Sequence, residues 1–149
     1  MLDLVDALAR AAAAGVVSEA FPLPDFADRE QRDRTMANWL QEHGVRLVVC
    51  AGYMQLLTPA FLDRFPGRIV NTHSAPLPDF PGAHPIEDVL AAGVDTTGVT
   101  VHLVDEGVDT GPVVSQVPVP VEPRATLLQR IHEVEHRLLP EVVRELCAR

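Results

Sequence analysis

The stretch RIVNTHSAPLPDFPGAH, residues 68–84, decides how this chain is read. Ile69 and Val70 form a short apolar run that ends in Asn71 and His73, and a loop stiffened by Pro76, Pro78 and Pro81 and turned at Gly82 follows. An apolar strand with a polar tip and a stiff loop is how α/β proteins present chemistry, because their ligands sit beyond the carboxyl ends of strands. Side chains two apart on a strand share a face, so Asn71 and His73 project together. An amide beside an imidazole sets a hydrogen-bond donor next to a side chain type that ordinarily titrates near neutrality.

The segments on the amino-terminal side fit the same class. Residues 47–51 are continuously apolar, which predicts a parallel strand covered on both faces. Thr58 followed by Pro59 predicts a capped short helix to about Phe65. Further upstream, Pro22 and Pro24 break the chain, Asp25 or Asp28 can cap, and Met36, Trp39 and Leu40 make the stripe of a helix ending at Gly44. Leu2, Leu4, Ala7, Leu8 and Ala11 predict an opening helix stopped at Gly15, with a short strand over residues 16–21 behind it.

On the carboxyl side, Pro85 to Ala92 reads as a helix stopped at Gly93. Residues 97–105 alternate Val99, Val101 and Leu103 inward as a strand, and residues 113–121 alternate again. The turn DEGVDTGP between them makes the pair a hairpin candidate. Thr126 with Gln129 three residues on predicts a capping box, opening a long amphipathic helix with Leu128, Ile131, Val134, Leu138, Val142 and Leu146 on its stripe and Pro140 as a kink. Alternating strands and helices imply an α/β fold with a mainly parallel sheet.

Composition narrows the function. At 149 residues the chain fits one domain, and 47% hydrophobic with 22% charged residues is globular composition. A net charge of −9 argues against a surface built to neutralise nucleic-acid phosphates, so small-molecule or protein partners are expected. No apolar run approaches the roughly 20 residues of a membrane span, and the amino terminus is acidic where a signal peptide is basic, so no membrane partner and a cytoplasmic location are expected. Two cysteines make no disulfide framework, and Cys50, inside an apolar run, reads as inert.

Asn71 and His73 have a bland reading as loop-capping hydrogen bonders. Asp109 is the candidate that lifts them above it, in a loop where Gly107 and Gly111 allow sharp turns. A carboxylate near His73 would fix its tautomer, and the three groups together suit oxyanion stabilisation and proton movement in acyl transfer. A metal site from His73, His84 and His102 is the competing constellation, without close ligand spacing. His132 and Glu135 share a helix face, which by itself reads as a solvated charged surface. No GxxxxGK[ST] or GxGxxG phosphate motif occurs.

The pieces NTH, LPDFPGAH and VDTGP, in this order and spacing, resemble the phosphoribosylglycinamide formyltransferases, or GAR transformylases, from about Val16 to the carboxyl terminus. The resemblance implies a Rossmann-like formyltransferase fold and a catalytic trio of Asn71, His73 and Asp109. That trio would move a formyl group from 10-formyltetrahydrofolate, the cosubstrate, to the amine of glycinamide ribonucleotide, with no metal. By the same resemblance, Met54, Gln55, Leu56 and Leu57 and the loop Asp105, Glu106, Gly107 and Val108 are expected folate contacts. Thr100, His102, His132 and Glu135 are expected to line the substrate side.

The chain departs from the family pattern in three ways. It has Gln55 where the family usually has Arg, and Ser74 and Pro76 where Pro and Leu are common. It also has no opening strand with a GNGSNL-type loop, whose amides bind the substrate phosphate. The expectation is therefore a single formyltransferase-like domain over 1–149, incomplete at its amino terminus, that self-associates as a homo-oligomer through its exposed strand edge. The alternatives are an inactive binding or assembly module, or within the class formyltetrahydrofolate hydrolase or another formyltransferase.

Overall fold

The computed structural model describes residues 4–149; Leu2 of the expected opening helix lies outside them. The elements in order are α1 (Leu4–Ala13), α2 (Arg29–Glu42), β1 (Val48–Cys50), α3 (Pro59–Leu62), β2 (Ile69–His73), α4 (Pro85–Ala92), β3 (Thr96–Leu103), β4 (Val113–Pro120) and α5 (Leu127–Ala148). The strands form one sheet in the order β1-β2-β3-β4. Helices flank it, so the α/β class holds. Among the described residues the sheet is mixed: β1 and β2 run parallel, whereas β2 with β3 and β3 with β4 are antiparallel. The DEGVDTGP turn sets the last pairing, because it is too short for a parallel crossover.

Local chemistry explains the helix ends. At α2, Asp28 Oδ1 accepts from the Gln31 amide at 2.7 Å while Gln31 Oε1 accepts from the Ala27 amide at 2.7 Å, so two otherwise orphaned donors are satisfied reciprocally. At α4, Pro85 occupies the first helical position and Gly93 ends the helix with φ +66°, as expected. At α5 the predicted capping box does not form. Thr126 makes no side-chain cap and instead donates to the Pro123 carbonyl at 3.3 Å, while Gln129 donates to Glu133 at 2.9 Å. A 3-10 turn over Arg124–Thr126 leads into α5 in its place.

Two apolar layers cover the sheet. On one face, Val70, Val99 and Val101 pack with Val89 of α4 and Leu127, Ile131, Leu138 and Val142 of α5. On the other, Ile69 packs with Ala37 of α2, Leu57, and Phe61 and Phe65. Leu128 is exposed, and the stripe of α5 begins at Leu127 instead. β3 is buried on both faces over residues 97–102, more than its alternation implies, because the α4 and α5 layer covers one face and the 74–77 turn closes over the other.

Two strand expectations are corrected. Residues 16–21 form no strand, and Val16 and Val17 are exposed, since no other strand of the described residues offers them a ladder. β1 is an edge strand rather than a strand covered on both faces, with Val49 40% exposed.

Candidate active site

β2 alternates Ile69 against the α2 and α3 layer and Val70 against α5, so Asn71 and His73 continue the Ile69 face past the end of that layer. The antiparallel register sets Asn71 opposite His102 and His73 opposite Thr100. The step from Val101 to His102 carries a register shift against β4, a bulge that breaks the regular ladder beside His102.

Asp109 completes the cluster. Its Oδ2 lies 3.5 Å from His73 Nδ1 and its Oδ1 lies 3.5 Å from His102 Nε2. Asn71 Nδ2 stands 3.3 Å from His102 Nε2. The remaining ring nitrogens face main-chain carbonyls: His73 Nε2 donates to Phe80 O at 2.7 Å and His102 Nδ1 donates to Leu103 O at 2.9 Å. A carbonyl only accepts, so these contacts fix which nitrogen carries hydrogen. His102 Nε2 then accepts from the Asn71 amide, and one N–H of that amide remains for another acceptor.

The loops are held to the cluster by specific contacts. The Gly82 amide donates to Asp109 Oδ2 at 2.8 Å, joining the 74–84 and 104–112 loops through the carboxylate. Asp109 has φ +54°, a left-handed conformation that aspartate tolerates. Gly111 is required by packing: a Cβ there would stand 1.8 Å from Leu103 O. At Gly107 a Cβ would meet Thr110 Oγ1 at 2.0 Å. That hydroxyl donates to Asp105 Oδ1 at 2.6 Å and holds the Asp105 carboxyl below its ordinary range, helped by the Gly107 amide.

The other expected site residues divide. Met54 and Leu56 are exposed on the loop that leaves β1, and Gln55 is exposed beside them, whereas Leu57 is built into the α2 and α3 core. Val108 is exposed, as are Asp105 and Glu106. Thr100 is fully buried and its hydroxyl is saturated: it donates to Ala75 O at 2.7 Å and accepts from the Leu77 amide at 3.1 Å and Gln116 Nε2 at 2.9 Å. It holds the 74–77 turn and has nothing left to offer a substrate. Glu135 reaches the loop after His73 by accepting from Ser74 Oγ at 2.7 Å. His132 is exposed on α5 with its ring 6.3 Å from that of His136, and no contact joins it to the cluster among the described residues. His84 is exposed, and no metal-holding group of side chains occurs among the described residues.

Four residues with buried or loop-joining contacts carry little signal in the sequence. Gln116 ties β4 to Leu77 O at 2.9 Å, and its only sequence signal is a polar residue in an alternating strand. Ser74 stands out only as a family departure. Arg32 and Asp33 form a buried ion pair at 2.6 Å where a charged pair on a helix reads as surface.

The profile of the formyl transferase family matches residues 3–143. The chain belongs to that family. The chain is 48% identical over 140 residues to a phosphoribosylglycinamide formyltransferase of Mycobacterium tuberculosis H37Rv, a match covering 92% of this chain and 65% of that protein. It is 37% identical over 139 residues to the phosphoribosylglycinamide formyltransferase of Bacillus subtilis, covering 87% of this chain and 71% of that one. The crystal structure of phosphoribosylglycinamide formyltransferase from Streptococcus pneumoniae superposes with a TM-score of 0.89 at 48% identity, over 95% of this chain and 80% of that chain. The chain thus spans just under two thirds of the length of the mycobacterial relative.

Proposed function

We propose that this chain transfers a formyl group from 10-formyltetrahydrofolate to the primary amine of glycinamide ribonucleotide. The observation that carries this reading is the convergence of Asn71 and His73 from the end of one strand with Asp109 from the 104–112 loop, in a member of the formyl transferase family. In the reaction the amine lone pair attacks the formyl carbon and forms a tetrahedral oxyanion. The bond from that carbon to N10 of the folate then breaks, and the proton lost by the amine ends on N10.

The residues suit those steps. The uncommitted N–H of Asn71 can donate to the oxyanion, and a proton on His73 Nδ1 would lie between the imidazole and Asp109. Asp109 is the group placed to relay a proton from the amine, and Gly82 keeps its carboxylate aimed at the rings. The 3.5 Å gap between His73 Nδ1 and Asp109 Oδ2 is longer than a direct hydrogen bond, as catalytic contacts commonly are before substrate closes them. Met54, Leu56 and Val108 offer exposed apolar surface for a pterin, and Glu135 offers a carboxylate for the hydroxyls of a ribonucleotide.

The test is formyl transfer with the two named substrates, comparing wild type with Asn71→Ala. Loss of one oxyanion donor is expected to lower kcat by about 10²- to 10³-fold without unfolding the protein. Equal rates for the two would remove Asn71 from the mechanism.

A further inference from the structure

The Arg32–Asp33 pair has no place in the chemistry above, yet it is the most buried charged group outside the cluster, with Arg32 3% and Asp33 0% exposed. Arg32 Nε and Nη2 both donate to Asp33 Oδ1, at 3.0 and 2.6 Å. Nη2 also donates to the Tyr53 hydroxyl at 2.9 Å, and Nη1 donates to Gln55 Oε1. The second carboxylate oxygen, Asp33 Oδ2, accepts from the Thr58 amide at 2.8 Å. One ion pair on α2 therefore grips positions 53, 55 and 58, the two ends and the middle of the segment that leaves β1.

That segment needs holding. It contains no helix or strand between β1 and α3, and it carries Met54 and Leu56, 69% and 47% exposed. It departs from Cys50, which pairs with Asn71, so its position is set directly beside the candidate centre. Stability does not account for the pair, because a buried ion pair costs desolvation that a packed apolar pair of similar volume avoids. A guanidinium with donors in a rigid fork is suited to fixing several acceptors at once, and lysine cannot replace that geometry. Because a guanidinium only donates, it also orients Gln55, turning the oxygen inward and leaving Nε2 without another partner among the described residues.

We propose that Arg32 and Asp33 are positioning residues that hold the 53–58 loop in the shape that receives the formyl donor. The inference rests on the formyl-transfer reading for the identity of the ligand, and on the hydrogen bonds alone for the clamp.

Two variants test it, with an assay for each half of the claim. Arg32→Lys removes the fork, and the double variant Arg32→Met with Asp33→Leu removes both charges without stranding either one. In both, KM for 10-formyltetrahydrofolate should rise about tenfold, the equivalent of about 1.4 kcal/mol of binding, with kcat at saturation and KM for glycinamide ribonucleotide little changed. Hydrogen exchange at the Thr58 amide, followed without ligand, should accelerate in both while amides of β2 and β3 keep their protection. Gln55→Glu gives Arg32 a carboxylate and should preserve Thr58 protection. Unchanged Thr58 exchange in the two clamp variants overturns the clamp. A fall in kcat with an unchanged donor KM, or a uniform loss that follows melting temperature, overturns the positioning role. A folded wild type that transfers no formyl group overturns the proposed reaction and the donor assignment with it, and Thr58 exchange then still decides the clamp.

Discussion

His73 and His102 each commit one ring nitrogen to a main-chain carbonyl, and that commitment turns the other nitrogen toward Asp109. Two rings of low exposure are thus fixed in orientation by the backbone, and a single carboxylate sits between them. Phe80 supplies its carbonyl from a left-handed conformation, φ +54°, so the loop bends to reach the ring. Cys50 shows the opposite use of burial. Its thiol is pushed up to about 11 by desolvation, with no compensating partner among the described residues. At pH 8, iodoacetamide should therefore modify the exposed Cys147 and leave Cys50 intact, with Cys50 reacting only as pH approaches its raised value or as the protein unfolds. Equal labelling of both at pH 8 in the folded protein, read by mass spectrometry, would contradict that burial.

At the scale of elements, the 104–112 loop is the least replaceable part of the site. Leu103 donates to Pro112 O at 2.8 Å, so the carbonyl that would meet a Cβ at position 111 belongs to the last rung of the hairpin and cannot simply move away. Gly111→Ala should cost about 1–3 kcal/mol and displace Asp109, lowering melting temperature by several degrees and turnover with it. A variant with unchanged melting and full turnover would mean the loop has another conformation of equal energy.

What the sequence shows of these elements follows from how local the deciding interaction is. α4 is legible because Pro85 and Gly93 act on their own backbone, and the hairpin is legible because its turn is short. Asn71 and His73 are legible together because strand periodicity is a two-residue rule, and Asp109 because glycines flank it. Residues 16–21 mislead because β propensity has no meaning without a neighbouring strand. The motif at Thr126 misleads because a 3-10 turn claims the same hydroxyl. The part Thr100 plays in holding the 74–77 turn is not legible, because only the fold reveals that its hydroxyl's three hydrogen-bonding capacities are already filled. The pair is invisible because its partners are distant in sequence, Tyr53 and Gln55 lying 21 and 23 residues from Arg32 and Thr58 lying 25 from Asp33.

At the scale of the molecule, the sheet carries the candidate site on one end and an open edge on one side. β1 is three residues long, pairs only with β2 among the described residues, and leaves Val49 exposed; Val16 and Val17 are exposed as well. An unpaired edge with apolar surface favours association. We infer that the 149-residue chain self-associates, and light scattering should report a species larger than the 16.2 kDa monomer. A clean monomer across the micromolar range would refute this.

The site itself depends on contacts within one chain, so its chemistry can be tested whatever the assembly. The most direct measurement is the rate of formyl transfer from 10-formyltetrahydrofolate to glycinamide ribonucleotide by the wild type and by Asp109→Asn, with melting temperature as a control for folding. The account predicts transfer by the wild type and a kcat lower by about 10²- to 10⁴-fold in the variant at similar stability. Equal turnover in the two, or a folded wild type that transfers nothing, would contradict it.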